Sequence, residues 1–158
     1  MRTVATLFAA ASLVVGLGGE DAFAQASQSK ALQLQDLPAR VQKTVQETLK
    51  GAVIRNIAKE KEDGIEQYEI ESTLNGKARD FNVAADGRLL VVEEATTLDA
   101  IPAAAKTAIQ TKVGNGRVTG VETFAKPGQP LRFEAAYKDG KGKKHEMLVD
   151  ADGKEVKN

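Results

Sequence analysis

The chain has no cysteine and no tryptophan among its 158 residues, and its only histidine is His145. Without cysteine there can be no disulfide brace, thiol redox chemistry or thiolate metal site. A single histidine rules out a multi-histidine metal centre and a histidine relay. Aromatics are scarce, five Phe and two Tyr, and those that can be assigned fall on core-facing strand positions, leaving no platform for stacking bases. The 22 basic residues are balanced by 22 acidic ones, so there is no electrostatic footprint for nucleic acid or an anionic membrane. A glycine-rich phosphate loop is also missing. A serine nucleophile needs a base and an orienting acid. Beyond the first 24 residues the serines are Ser27, Ser29 and Ser72, none in a strained turn. Neither an enzyme nor a bound cofactor is expected.

No apolar run reaches the roughly 20 residues of a membrane span. The N-terminus reads instead as a Sec-type export signal: Arg2, an apolar or small stretch from Leu7 to Leu17, and Ala22-Phe23-Ala24 as a small-x-small cleavage pattern. Cleavage after Ala24 would remove one cation and two anions from the 22 of each sign, leaving 21 basic against 20 acidic residues. The expected location is periplasmic or secreted, with no membrane insertion after cleavage. Residues 25–35, rich in Gln, Ser and Ala, read as a disordered leader.

What remains repeats itself. Leu37-Pro38 recurs 64 residues on as Ile101-Pro102, Tyr68-Glu69 recurs 65 on as Phe133-Glu134, and Asp86-Gly87 recurs 66 on as Asp152-Gly153. The copies span 36–98 and 99–158, and a lone unit of this size would bury too little surface to be stable by itself. Each opens on a helical pattern: Leu37, Val41, Val45 and Leu49 in the first, Ile101, Ala105, Ile109 and Val113 in the second. Asp36 is the expected helix cap, with proline near the first helical position. Four strand-like runs follow in each copy, near 53–61, 66–73, 78–84 and 88–94, then 117–124, 131–138, 143–149 and 154–157. Pairs such as Asp63-Gly64, Asn75-Gly76, Asp86-Gly87 and Asp139-Gly140 separate them and tolerate the positive φ of tight hairpins. The expected fold is α+β and two-layer: tandem α-β-β-β-β units sharing one antiparallel sheet, with two helices on one face.

Alternation places Tyr68, Ile70, Phe81, Val83, Phe133, Ala135, Met147 and Val149 beneath the helices. The opposite parity carries the residues expected to bind a partner: Glu69, Glu71, Asp80, Asn82, Leu89, Val91, Arg132, Glu134, Lys138, Glu146 and Leu148. Two further features read as ordinary structure. Asp150-Ala151-Asp152-Gly153 looks like the start of a calcium loop, but the chain ends before a twelfth-position glutamate, so a hairpin turn is expected. Lys138 to Lys144 reads as a solvated hairpin tip.

Leu37-Pro38-x-x-Val41, Tyr68-Glu69-Ile70 and Asp86-Gly87, with the second set Ile101-Pro102, Phe133-Glu134 and Asp152-Gly153, resemble the PepSY-like family of small secreted bacterial proteins. The fold of that family is similar to the β-lactamase inhibitory protein. The resemblance implies two helices on one face of a continuous sheet, a bacterial periplasm or exterior, and restraint of an extracellular peptidase. The inhibitory proteins, however, carry disulfides and an aromatic-rich sheet face, whereas this chain has no cysteine and a mainly charged one. The expected function is a non-catalytic binding module whose open sheet face takes a protein or cell-envelope component. The alternative is a small-ligand or metal-responsive envelope protein.

Overall fold

A computed structural model describes residues 32–62 and 64–157; the expected signal segment lies outside the described residues. Helix α1 (Ala39–Leu49) is followed by strands β1 (Val53–Glu62), β2 (Ile65–Leu74), β3 (Lys77–Ala84) and β4 (Leu89–Ala95). Helix α2 (Ala103–Val113) then leads into β5 (Arg117–Ala125), β6 (Arg132–Lys138), β7 (Lys144–Val149) and β8 (Glu155–Val156). All eight strands pair in chain order as one antiparallel sheet. The copies are sealed together where β4 meets β5, with Val92 opposite Ala125 and Ala95 opposite Glu122.

Both helices pack on the same face. Val41 and Val45 of α1, with Leu37, meet Tyr68, Ile70, Phe81 and Val83. Ala105, Ile109 and Val113 of α2, with Ile101, meet Val121, Phe133, Ala135, Met147 and Val149. Every fourth residue of each helix thus removes one apolar stripe from water, at about 25 cal/mol per Å² buried. Leu37 and Ile101 occupy the same place in their copies, each buried just ahead of its proline.

Helix entry differs in detail from the sequence expectation. Pro38 itself is the N-cap of α1, and Asp36 instead closes a 3-10 turn over Leu34–Asp36, its carboxylate accepting from the Gln33 N–H at 2.9 Å. Leu32 and Leu34 pack against the α1 cluster, so the structured body begins ahead of Asp36 and residues 32–35 are not part of a disordered leader. At the other end Lys50 takes a left-handed conformation (φ 47°) and Gly51 follows at φ 92°, which stops α1.

The recurrent Asp-Gly does more than turn the chain. Gly87 and Gly153 both have positive φ, and each lies against the first turn of its own copy's helix. A Cβ on Gly87 would sit 2.9 Å from Arg40 Cβ, and one on Gly153 would sit 2.6 Å from the Ala104 carbonyl oxygen. Thr44 Oγ1 donates to the Gly87 carbonyl at 2.6 Å. The repeated dipeptide therefore sets how closely helix and sheet approach.

Arg79 is 5% exposed, a burial the sequence did not disclose. Its Nε donates to Glu94 Oε1 at 2.6 Å and its Nη1 to the Thr48 carbonyl at 2.6 Å, with the guanidinium 5.9 Å from the Phe81 ring centroid. It pins the last turn of α1 to the sheet. Arg79→Met should lower stability by about 2 kcal/mol, because Glu94 and the Thr48 carbonyl lose their donor. Glu94→Gln, half-exposed, should cost about half as much. Urea denaturation of the two variants checks the order.

Candidate functional site: the uncovered sheet face

Side chains that point away from both helices form rows across the sheet. Glu69 of β2 stands opposite Asn82 of β3, which stands opposite Val91 of β4. In the next row Asp80 faces Glu93, Glu93 faces Phe124, and Phe124 faces Arg132. Glu122 then faces Glu134, Glu134 faces Leu148, and Leu148 faces Val156. Ala136 faces Glu146 beyond them. Ten of the eleven residues expected on this face are there.

Leu89 is the exception. The register of β3 with β4 shifts between Asn82 and Val83, so that Asn82 pairs with Val91 but Val83 pairs with Leu89. The extra residue in β4, a bulge, switches the face of everything before it. Leu89 consequently packs into the α1 cluster. Simple alternation through Leu89 and Val91 could not reveal that change.

Val91 and Leu148 do lie on the uncovered face, but they join Phe124 and, at its edge, Val156 in a small cluster of their own. Phe124 is only 2% exposed although it lies on the side away from α1 and α2. Lys126 Nζ stands 5.4 Å from its ring centroid, and Arg132 is its cross-strand neighbour. The apolar residues are thus a second core on the open side, and what the face presents is mostly carboxylate.

That carboxylate band includes two residues beyond those expected from the sequence, Glu93 and Glu122. Glu93 shares parity with Val91, so the signal was in the sequence. Two like-charged pairs stand directly opposite one another, Asp80 with Glu93 and Glu122 with Glu134, an arrangement that destabilises an antiparallel pair. Ion pairs form elsewhere, and among the described residues none reaches Glu69, Asp80, Glu93, Glu122, Glu134 or Glu146. Burial, and then repulsion from Glu134, Glu122, Asp80 and Glu69, pushes the Glu93 carboxyl up to about 8. Burial, and then Glu60, Glu71 and Asp80, raises Glu69 to about 7; burial, with Glu146 and Glu122, raises Glu134 to about 7. Burial also lifts Asp80, Glu122 and Glu146.

Neutral donors satisfy the margin near β1. Gln67 Nε2 bridges Glu60 and Glu62 at 2.8 and 3.0 Å, Asn82 Nδ2 reaches Glu60 at 3.2 Å, and Asn56 Nδ2 reaches Glu71 at 3.3 Å. Asp80 accepts from the Ser72 N–H at 2.8 Å. Lys138 and Lys144 are cross-strand partners at the far end of β6 and β7. Among the described residues no group of three or more His, Cys, Asp or Glu is placed to hold a metal ion. The Asp150–Gly153 segment is a hairpin turn, its first carboxylate occupied by the N–H groups of Asp152 and Lys154. His145 stacks on Tyr137 and contacts Asp139 Oδ2 at 3.0 Å. That carboxylate also accepts from the N–H groups of Lys141 and Lys143 and so ties down the basic hairpin tip.

No protein-family profile matches the chain, and no curated protein matches it. Its fold is nevertheless known. A candidate periplasmic protein of Bacteroides eggerthii superposes with TM-score 0.64 at 19% identity, over 77% of this chain and 86% of that one. A DUF2874 family protein of Bacteroides ovatus gives 0.61 at 18%, over 77% and 85%. A BLIP-like protein of Bacteroides fragilis gives 0.58 at 19%, over 77% and 84%. The architecture is α+β and BLIP-like: one eight-stranded antiparallel sheet with two helices on one side.

Proposed function

We propose that this protein is a non-catalytic binding module of the bacterial periplasm, and that the sheet face opposite the helices is where it meets a protein partner of the cell envelope. One observation carries the reading: a row of half-buried carboxylates faces outward with like charges opposed and no ion pair to them among the described residues, a cost to the free fold that a bound partner can offset. The fold shared with candidate periplasmic and BLIP-like proteins supports the location and the binding role, as does the export signal read at the N-terminus. The resemblance to PepSY-like proteins makes an envelope peptidase one partner to test.

Site-specific photo-crosslinking in the native periplasm tests which face is used. A photoreactive residue at Ala58 or Ala136, on the open side, should yield a discrete heavier adduct. The same residue at Thr107 or Gln110, exposed on α2, should not. Adducts from the helix positions alone would overturn the assignment.

A further inference from the structure

We propose that the segment docking on this face is basic, an extended or looped stretch of a partner protein carrying arginine or lysine at two or more positions, and that it seats over β3 to β6. The proposal rests on the open face being the docking surface and adds the chemistry of what docks there. Three features choose the occupant. Asp80 opposite Glu93 and Glu122 opposite Glu134 are two adjacent like-charged pairs, on neighbouring rows at the middle of the sheet. None of the four has an ion-pair partner among the described residues, whereas Lys59, Arg79, Arg88, Lys106 and Lys112 are all paired elsewhere. The cations on this side stand at the Phe124 end of the row and at the far end of β6: Lys126 lies over the Phe124 ring, Arg132 flanks it and also donates to the Lys157 carbonyl, and Lys138 is paired across the strands with Lys144. An anionic partner would add like charge to the band, so nucleic acid and acidic lipid headgroups do not fit it.

Arginine suits such a site better than lysine, because its planar fork can bind a carboxylate through two parallel hydrogen bonds. The groups that raise Glu93 are Glu134 on β6, Glu122 on β5, Asp80 on β3 and Glu69 on β2, all acidic, and the cations Lys126 and Arg132 stand against Phe124, its neighbour on β5. A guanidinium placed among them favours their ionised forms. Docking therefore releases protons near neutrality and tightens as pH rises from 6 to 8.5.

The probe is an end-blocked seven-residue peptide of alternating arginine and alanine, titrated into the full chain by amide NMR at 150 mM NaCl and pH 8. Shift changes should cluster on β3 to β6, and affinity should drop at least tenfold in Glu93→Gln/Glu134→Gln, whose side chains keep the same shape. Unfolding curves of that variant show whether the fold is retained, and Lys43→Gln/Glu47→Gln on the exposed side of α1 should leave affinity unchanged. Equal affinity for wild type and the carboxylate variant, shifts on the helix side, no binding at millimolar peptide, or equally tight binding of spermidine would each overturn the proposal. If the Ala58 and Ala136 crosslinks form while the peptide fails, the face stands and the basic partner falls.

Discussion

Raising the pH from 5 to 9 should destabilise this protein by roughly 3 kcal/mol, lowering its melting temperature by about 10 °C. The sign follows from Glu69, Glu93 and Glu134, whose folded values of about 7, 8 and 7 lie above the ordinary value of 4.5. The folded state therefore binds more protons than the unfolded state between pH 4.5 and about 8. Their stabilisation is complete below 4.5 and is lost as the pH climbs through the folded values. Taken at face value the three shifts would give several times this figure, but half-exposed carboxylates are screened by water and salt, which reduces it. Glu93→Gln should flatten the profile and raise the melting temperature at pH 9, since the amide cannot charge. Scanning calorimetry across the range checks both the slope and its loss. A melting temperature that rises towards pH 9 would mean that these carboxylates have counter-charges.

The second large effect belongs to the repeated Asp-Gly turns. Gly87→Ala and Gly153→Ala should each cost about 3 kcal/mol, from a positive φ that disfavours alanine and from a Cβ thrust against the helix. The contacts to be relieved are to Cβ and backbone atoms of the helices, 2.9 Å at Arg40 Cβ and 2.6 Å at the Ala104 carbonyl oxygen. Neither can swing aside without moving the helix. Gly140 is the control: a Cβ there meets nothing within 4 Å, so Gly140→Ala should be neutral or slightly stabilising. Chemical denaturation of the three variants gives the comparison. If all three behaved alike, the turns would matter only as turns, and helix docking would rest on the apolar stripes alone.

The fold was legible because its signals are local. Gly at each hairpin, proline at each helix entry and alternation within each strand specify eight strands and two helices to within a residue or two. Non-local features were less visible. The bulge opposite Asn82 and Val83 turns Leu89 to the helix side, and no feature of Leu89-Leu90-Val91 announces it, because all three residues are apolar. Arg79 looks like any exposed strand cation until the end of α1 is seen to supply Thr48 and β4 to supply Glu94. Of the site, the outer residues could be read from parity. The crowding could not, because the pairing of Asp80 with Glu93 and of Glu122 with Glu134 depends on strand register. Whether a glutamate is solvated or pressed against another is a property of neighbours contributed by different hairpins.

Carbon-detected NMR titration of the side-chain carboxyls is the most direct test of a crowded, uncompensated acidic face. Glu93 should titrate with a midpoint near 8, and Glu69 and Glu134 near 7, well above the ordinary glutamate value of 4.5. Midpoints for all three at that ordinary value would contradict the account.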